Sequence, residues 1–120
     1  MYDNRPYDPQ GVRLPWMDLG ELRKNVLALL EWGRVDIPWD HILAEGHEVS
    51  DEEIQATLGR GTYEFHEVVD GRYLATSWER PSPVAILVLF ELRELEGAGY
   101  IQVVTAFHIR APCGRPRRRR

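Results

Sequence analysis

Apolar residues recur at helical spacing in the first part of the chain. Asp18 can cap a helix, and Glu21 stands three residues later, which is the spacing of a capping box. Between Asp18 and Trp32–Gly33, one face of the predicted helix carries Leu19, Leu22, Val26, Leu29 and Leu30. The pattern predicts a helix that ends near Gly33.

Two shorter helices are predicted between residues 38 and 61. Pro38 suits a first helical turn, and Gly46 ends the first run. The second begins at Ser50, whose hydroxyl can accept the Glu53 amide proton while the Glu53 carboxylate reaches back to Ser50. Val49 and Ile54 flank this cap as a hydrophobic staple.

From residue 62 the pattern becomes typical of strands. TYEFHEVV and RYLATSWE flank Asp70-Gly71, which predicts a two-residue hairpin turn. Residues 80–83 form the next predicted turn, and the continuous apolar run 84–92 predicts a central strand. The last strand covers 100–110. Strict alternation in that strand would place Ile101, Val103, Thr105, Phe107 and Ile109 on one side.

Helices that precede strands with short connections indicate an α+β fold. We expect N-terminal helices packed on one face of a four-stranded antiparallel meander. Residues 1–17, with three prolines, are interpreted as an extended N-terminal arm, and 18–110 as a single domain. Residues 111–120, APCGRPRRRR, are expected to be a disordered, Arg-rich tail.

Composition narrows the class of protein. The chain has 120 residues, enough for one domain with a hydrophobic core. It contains no apolar run long enough to span a membrane and a single cysteine, Cys113. We therefore expect a cytoplasmic protein with no membrane partner.

The charge is unevenly distributed. The formal net charge is −4, but five of the 15 basic residues lie in the last six positions. Residues 1–110 carry ten basic and 19 acidic side chains, a net charge of −9. An acidic body favours a basic partner, whereas an arginine tail is attracted to phosphate backbones or to the body itself.

Histidines and arginines are the residues that could carry chemistry. RNA cleavage without a metal needs a general base, a general acid and cations on the phosphate. His41 and His108 are candidates for the first two roles. The candidate RNA-binding cations are Arg72, Arg93 and Arg110.

Metal and cofactor sites are not predicted. His41 and His47 are separated by a helix break, so the four histidines lack the local spacing of a zinc site. No phosphate-binding or dinucleotide-binding glycine motif and no C-x-x-C occurs. We expect no cofactor.

The segments WDHILAEGHEVSDEEIQATLGRG, GRYLATSWE, ILVLFELRE and YIQVVTAF resemble, in this order, the RelE/ParE-like and BrnT-like small toxin superfamily. The resemblance covers roughly residues 38–108. It is strongest for a branch with a helix histidine and a Val-Val-Thr last strand, and it implies a metal-independent endoribonuclease. His41 matches the helix histidine and Thr105 the strand threonine. RNA and a cognate antitoxin are the implied partners.

Each candidate also has a purely structural interpretation. His41 and His108 can be packing residues, and threonine is common in strands. Two functions from different classes therefore stay open. One is a RelE/BrnT-like RNA-cleaving toxin. The other is a non-catalytic acidic interaction module that binds a basic protein or forms a homodimer through its sheet face or strand edge.

Overall fold

The computed structural model describes residues 11–44, 48–77 and 84–110. Within these ranges the α+β class is confirmed, with three helices and a mixed sheet. The helices are α1 (Leu19–Glu31), α2 (Trp39–Ala44) and α3 (Asp51–Arg60). The strands are β1 (Val12–Arg13), β2 (Val35–Asp36), β3 (Thr62–Phe65), β4 (Arg72–Thr76), β5 (Val84–Leu95) and β6 (Ala98–Arg110).

The predicted caps are present at both long helices. Asp18 accepts the amide proton of Glu21 at the start of α1, with N···O 2.8 Å. At α3, the Ser50 hydroxyl accepts the Glu53 amide proton, and the Glu53 carboxylate accepts that of Ser50. These contacts satisfy amide groups that a helix start leaves without partners, so the sequence placed both starts correctly.

The prediction of a purely antiparallel, four-stranded sheet was wrong. The sheet has six strands, in the order β2-β6-β5-β4-β3, with β1 paired to β5 beyond the end of β4. β2 pairs with β6 in parallel, and the other pairings are antiparallel. β1 and β2 have two residues each. Elements that short show no periodicity, so the sequence pattern could not reveal them.

The first hairpin also differs from its prediction. β3 ends at Phe65 instead of continuing to residue 69, and residues 66–71 form a longer loop. The His66 ring explains this, because its Nδ1 accepts the amide protons of Val68 and Val69 at 3.1 and 3.0 Å. The backbone N–H of His66 then bonds to the Arg72 carbonyl. Asp70-Gly71 lies in this loop and is not a two-residue turn.

The second hairpin is tight, as expected. Leu95 pairs with Ala98, so Glu96 and Gly97 alone connect β5 to β6. Both have positive φ, 55° and 84°. This is the backbone of a turn that matches the twist of paired strands, and glycine adopts it without strain.

One apolar core joins the helices to one face of the sheet. α1 contributes Leu22 and Val26, α2 contributes Ile42, and α3 contributes Ile54 and Leu58. They pack with Tyr63, Tyr73, Ala75, Ile86, Val88, Phe90, Leu92, Ile101, Val103 and Ala106 from the strands. We call this the helix side. The opposite side of the sheet is called the open face.

A bulge in β6 changes which side its residues face. Val103 pairs with Phe90, but Thr105 pairs with Leu89, so Val104 is an extra residue. Ile101 and Val103 therefore lie on the helix side, whereas Thr105 lies on the open face. The predicted continuous alternation along β6 was wrong beyond Val103.

The ends of the chain are described in part. From the predicted arm, Trp16 stacks on Phe65 with ring centroids 5.4 Å apart, and the Met17 amide donates to the Tyr73 hydroxyl. Residues 1–10, the predicted turn at 80–83 and the predicted tail at 111–120 lie outside the described residues. In the described part, no helix is long and apolar enough to cross a membrane.

Candidate functional site

The predicted catalytic residues do not converge. His41 lies on α2 and is buried at the helix side, where α2 contacts β6. His108 also faces the helix side, because its β5 partner is the core residue Ile86. Thr105 faces the other way. The sheet therefore separates the threonine from both histidines.

The predicted RNA-binding arginines are divided in the same way. Arg72 and Arg93 lie on the open face, since Arg72 pairs with Glu91 and Arg93 is two residues further along β5. Arg110 is exposed at the end of β6. It is two residues from His108, so both side chains lie on the same side of the strand. Only Arg110 therefore shares a face with the histidines.

Arg72 and Arg93 belong to an ion cluster that the sequence did not reveal. The Glu91 carboxylate is fully buried and accepts hydrogen bonds from Arg72 Nε at 2.8 Å and Arg93 Nη1 at 2.5 Å. Arg13 Nη1, from β1, lies 3.2 Å from the same carboxylate. We call Arg13, Arg72, Arg93 and Glu91 the arginine cluster.

Three guanidinium groups around one carboxylate give the arginine cluster a net charge of +2 from these four described residues. Burial of Glu91 is tolerated because cations neutralise it and supply hydrogen bonds. One feature of the sequence indicated that Glu91 needs basic partners. Glu91 interrupts an apolar strand, and a buried carboxylate requires partners.

A neighbouring polar contact completes this end of the open face. Gln102 on β6 is the cross-strand neighbour of Glu91 and is buried. Its Nε2 donates to the Asp36 carboxylate at 2.8 Å. Asp36 lies on β2, two strands away from Glu91, so its negative charge sits at the opposite edge from Arg13 and Arg72.

Apolar side chains occupy the middle of the open face, whereas Glu64 on β3, opposite Leu74, places a carboxylate near its edge. Along β5 the side chains on this face run from Ala85 through Leu87 and Leu89 to the arginine cluster. The flanking strands add Leu74, Phe107 and Ile109. We call Leu74, Leu87, Leu89, Phe107 and Ile109 the apolar band; each of these side chains is half-buried and outside the core.

Thr105 lies within this apolar region. Its partner across the sheet is Leu89, and its Oγ1 atom is buried without a hydrogen bond within the part of the chain that the structure describes. A threonine hydroxyl needs a nearby base to act as a nucleophile. The residue opposite Thr105 on β5 is Leu89, which cannot act as a base.

His108 has a carboxylate neighbour on the helix side. Its Nε2 lies 3.8 Å from Glu53 Oε2, and both side chains are half-exposed, at 41 and 46 per cent. Glu53 also serves the α3 cap through its other oxygen. Of the predicted site residues, His108 and Arg110 thus come closest to an acid–base site, together with Glu53, which was not predicted as a site residue.

A cleft of about 580 Å³ opens elsewhere, lined by Leu19, Gly20, Arg23, Arg60, Gly61, Thr62 and Tyr63. Arg23 donates to the Gly59 and Gly61 carbonyls at the end of α3 and lies 4.0 Å over the Tyr63 ring. Burial raises the pKa of Tyr63 to about 12, partly opposed by the Arg23 charge. Because Arg23 is committed to these contacts, we interpret this cleft as structural.

The described residues include no group of three or more His, Cys, Asp or Glu side chains arranged to hold a metal ion. Comparisons with protein-family models, with curated proteins and with solved structures found no match to this chain. The functional argument therefore depends on the geometry of the two sides of the sheet.

Proposed function

We propose that this chain is a non-catalytic protein-interaction domain that binds an acidic, apolar segment of a partner on the open face. The observation that carries the proposal is the adjacency of the apolar band to the arginine cluster on β5, where Leu89 is followed by Glu91 and Arg93. The three helices pack on the other side of the sheet. The open face thus combines apolar surface with local positive charge.

The pattern of β5 supports a covered open face. Sheets with one wet face show alternating apolar and polar side chains, whereas sheets covered on both faces have continuous apolar strands. β5 is continuously apolar from Ala85 to Phe90, as are the strands of sheets that are covered on both faces. The helices cover one side only among the described residues, so a partner on the open face would account for the pattern.

The arginine cluster defines the partner's chemistry. Guanidinium groups recognise carboxylates through planar, charge-assisted hydrogen bonds. A segment with apolar side chains beside an acidic residue would therefore fit the apolar band and the cluster together. The net charge of −9 on residues 1–110 suggested a basic partner, but the arginine cluster, counted over its four described residues, has the opposite sign.

The division of the candidate residues argues against catalysis. RNA cleavage requires base, acid and phosphate-binding cations around one scissile bond. Here Thr105, Arg72 and Arg93 lie on the open face, whereas His41 and His108 lie on the helix side.

RNA cleavage remains a second candidate for one reason. His108 lies 3.8 Å from Glu53, Arg110 is two residues from His108 on the same side of β6, and the toxin resemblance includes His41 and Thr105. A histidine and a carboxylate could exchange protons while Arg110 binds a phosphate. The acidic first turn of α3, with Asp51, Glu52 and Glu53, opposes this because carboxylates repel RNA.

The two functions are separated by a binding assay and a cleavage assay on the full chain. The probe for binding is a fluorescein-labelled decapeptide of alternating glutamate and leucine, with a lysine–leucine decapeptide as the charge-reversed control. Fluorescence anisotropy should show binding of the acidic probe only. No binding of the acidic probe, together with cleavage of labelled RNA, would favour the toxin-like function.

A further inference from the structure

We propose that the loop at residues 66–71 is a pH-sensitive switch, in which protonation of His66 opens the turn that its neutral ring closes. The inference rests on the contacts of this loop and is independent of the proposed function. The loop joins β3 to β4, and all of its residues lie in the described part of the chain.

The His66 ring closes the turn by accepting two hydrogen bonds at one atom. Its Nδ1 receives the amide protons of Val68 and Val69, with N···N distances of 3.1 and 3.0 Å. A backbone N–H only donates, so Nδ1 has to be the ring nitrogen without a proton, and the hydrogen is on Nε2. A second proton on the ring would turn Nδ1 into a donor. Both amide groups would then lose their acceptor.

Little else holds this end of the loop. The Val68 side chain is 82 per cent exposed, so it adds no packing against the core. In the described part of the chain, the backbone hydrogen bonds of the loop are made with Arg72. The His66 amide donates to the Arg72 carbonyl at 3.0 Å, and the Arg72 amide donates to the Val69 carbonyl at 3.3 Å. The order of residues 67–69 therefore depends on the protonation state of one imidazole.

The other end of the loop is held independently of His66. Gly71 has a φ of 81°, and a side chain at this position would meet the Leu14 carbonyl at 2.9 Å and the Arg13 side chain at 3.4 Å. Glycine is needed where the loop passes this close to the end of β1. Loss of the contacts at His66 should therefore loosen residues 67–69 and leave the strands paired.

The charged groups around the loop have both signs. They belong to the loop, to the strands on either side of it and to β1, and they are Arg13, Glu64, Glu67, Asp70 and Arg72. Arg72, which is opposite His66, also donates to the Glu91 carboxylate at 2.8 Å. A protonated ring would therefore have carboxylates as well as guanidinium groups as neighbours. Histidine side chains ordinarily change charge between about pH 8 and about pH 5, and the switch should operate in this interval.

The test is the mobility of the Val68 and Val69 amides in the full chain, measured by nitrogen relaxation NMR at both ends of this interval. At about pH 8 their order parameters should be about 0.85, as in a rigid backbone. At about pH 5 they should fall below about 0.6, as in a flexible one. The nitrogen chemical shifts of the His66 ring report its protonation in the same samples.

Two substitutions at position 66 separate the acceptor from the titration. Asparagine has a side-chain oxygen that accepts amide protons two residues later and does not titrate. His66→Asn should therefore keep the turn ordered at both pH values, whereas His66→Ala, which has no acceptor, should leave it mobile at both. His108→Gln removes a histidine from β6 and should reproduce the wild-type transition, which would exclude a general effect of histidine titration.

Each of the other outcomes would overturn the switch. High order parameters for Val68 and Val69 in the wild type at the acidic end would do so, whether or not the ring had gained a proton. Equal losses of order in wild type and His66→Asn would mean that a group other than His66 controls the loop. An ordered turn in His66→Ala would mean that the ring does not hold it. Loss of order in the wild type but not in His66→Asn, with His66→Ala mobile throughout, supports the proposal.

Discussion

Thr105 and His108 lie on opposite sides of the sheet although both belong to β6. Their partners on β5 establish this, since Thr105 pairs with Leu89 of the open face and His108 pairs with Ile86 of the core. An odd number of steps along a strand reverses the side-chain direction. A single substrate bond on one side of the sheet cannot be contacted by both residues.

This arrangement leads to a prediction about RNA. Purified wild-type protein should cleave labelled RNA no faster than buffer, with or without EDTA. His41→Gln and His108→Gln should show the same background rate. A positioned general acid or base contributes about 10²–10⁴-fold in rate, so a true catalytic histidine would be obvious. Wild-type cleavage that is lost in His108→Gln would establish the toxin-like activity instead.

Removing the buried charge of Glu91 should destabilise the fold. Glu91→Gln leaves three guanidinium groups close together without the carboxylate that neutralises them. Because Glu91 is fully buried, we expect a loss of about 2–3 kcal/mol in the free energy of unfolding. Urea denaturation measures this directly.

Glu94→Gln is the matched control for that prediction. Glu94 lies on the same strand, three residues later, and is exposed. Its replacement should change the unfolding free energy by no more than about 0.5 kcal/mol. Equal effects of the two substitutions would mean that Glu91 is not the centre of an ion cluster.

The sequence predicted the helices and the long strands because they depend on local chemistry. Asp18 and Ser50 stand at the starts of α1 and α3 with their Glu21 and Glu53 partners. The apolar run of β5 is long enough to exclude a loop. Such signals lie within a few residues of the element that they specify.

The sequence could not predict features that depend on distant partners. The bulge at Val104 arises from the register between β5 and β6, and it reverses the side on which Thr105 lies. The grouping of Arg13 with Arg72 and Arg93 requires β1 to pair with β5. β1 has only two residues, too few for a periodic pattern that would predict the strand. The sequence therefore predicted the α+β class but not which of the candidate residues share a face of the sheet.

The capping box of α3 gives a stability prediction. Ser50→Ala removes the hydroxyl that accepts the Glu53 amide proton, at 3.1 Å, and should cost about 1 kcal/mol. Ser50→Thr keeps an acceptor at the same position and should cost less. Chemical denaturation of both variants tests this. If Ser50→Ala matched the wild type, the cap would contribute nothing to the fold.

Tyr63 should make the protein sensitive to alkaline pH. Its hydroxyl donates to the Leu58 carbonyl, and burial raises its pKa from 10.0 to about 12. The folded state therefore keeps a proton that the unfolded state has lost. Stability should be fully present below pH 10 and should decline as the pH rises toward about 12.

Tyr63→Phe tests this dependence. The variant should be less stable than wild type near neutral pH, because the Leu58 carbonyl loses its donor. Its stability should then fall less steeply between about pH 10 and pH 12. Some decline should remain, because burial also raises the pKa of Tyr73. Identical slopes for wild type and Tyr63→Phe in urea midpoints would refute the assignment.

The central claim is that the open face binds an acidic, apolar segment, and the affinity of the glutamate–leucine probe for paired variants tests it most directly. Leu89→Gln alters the apolar band, whereas Leu43→Gln alters an exposed leucine on α2. We predict that Leu89→Gln weakens binding about tenfold, from the apolar area lost, and that Leu43→Gln matches the wild type. Circular dichroism would confirm that both variants are folded. Equal affinities for the two variants, or tighter binding of the lysine–leucine peptide by the wild type, would contradict the claim.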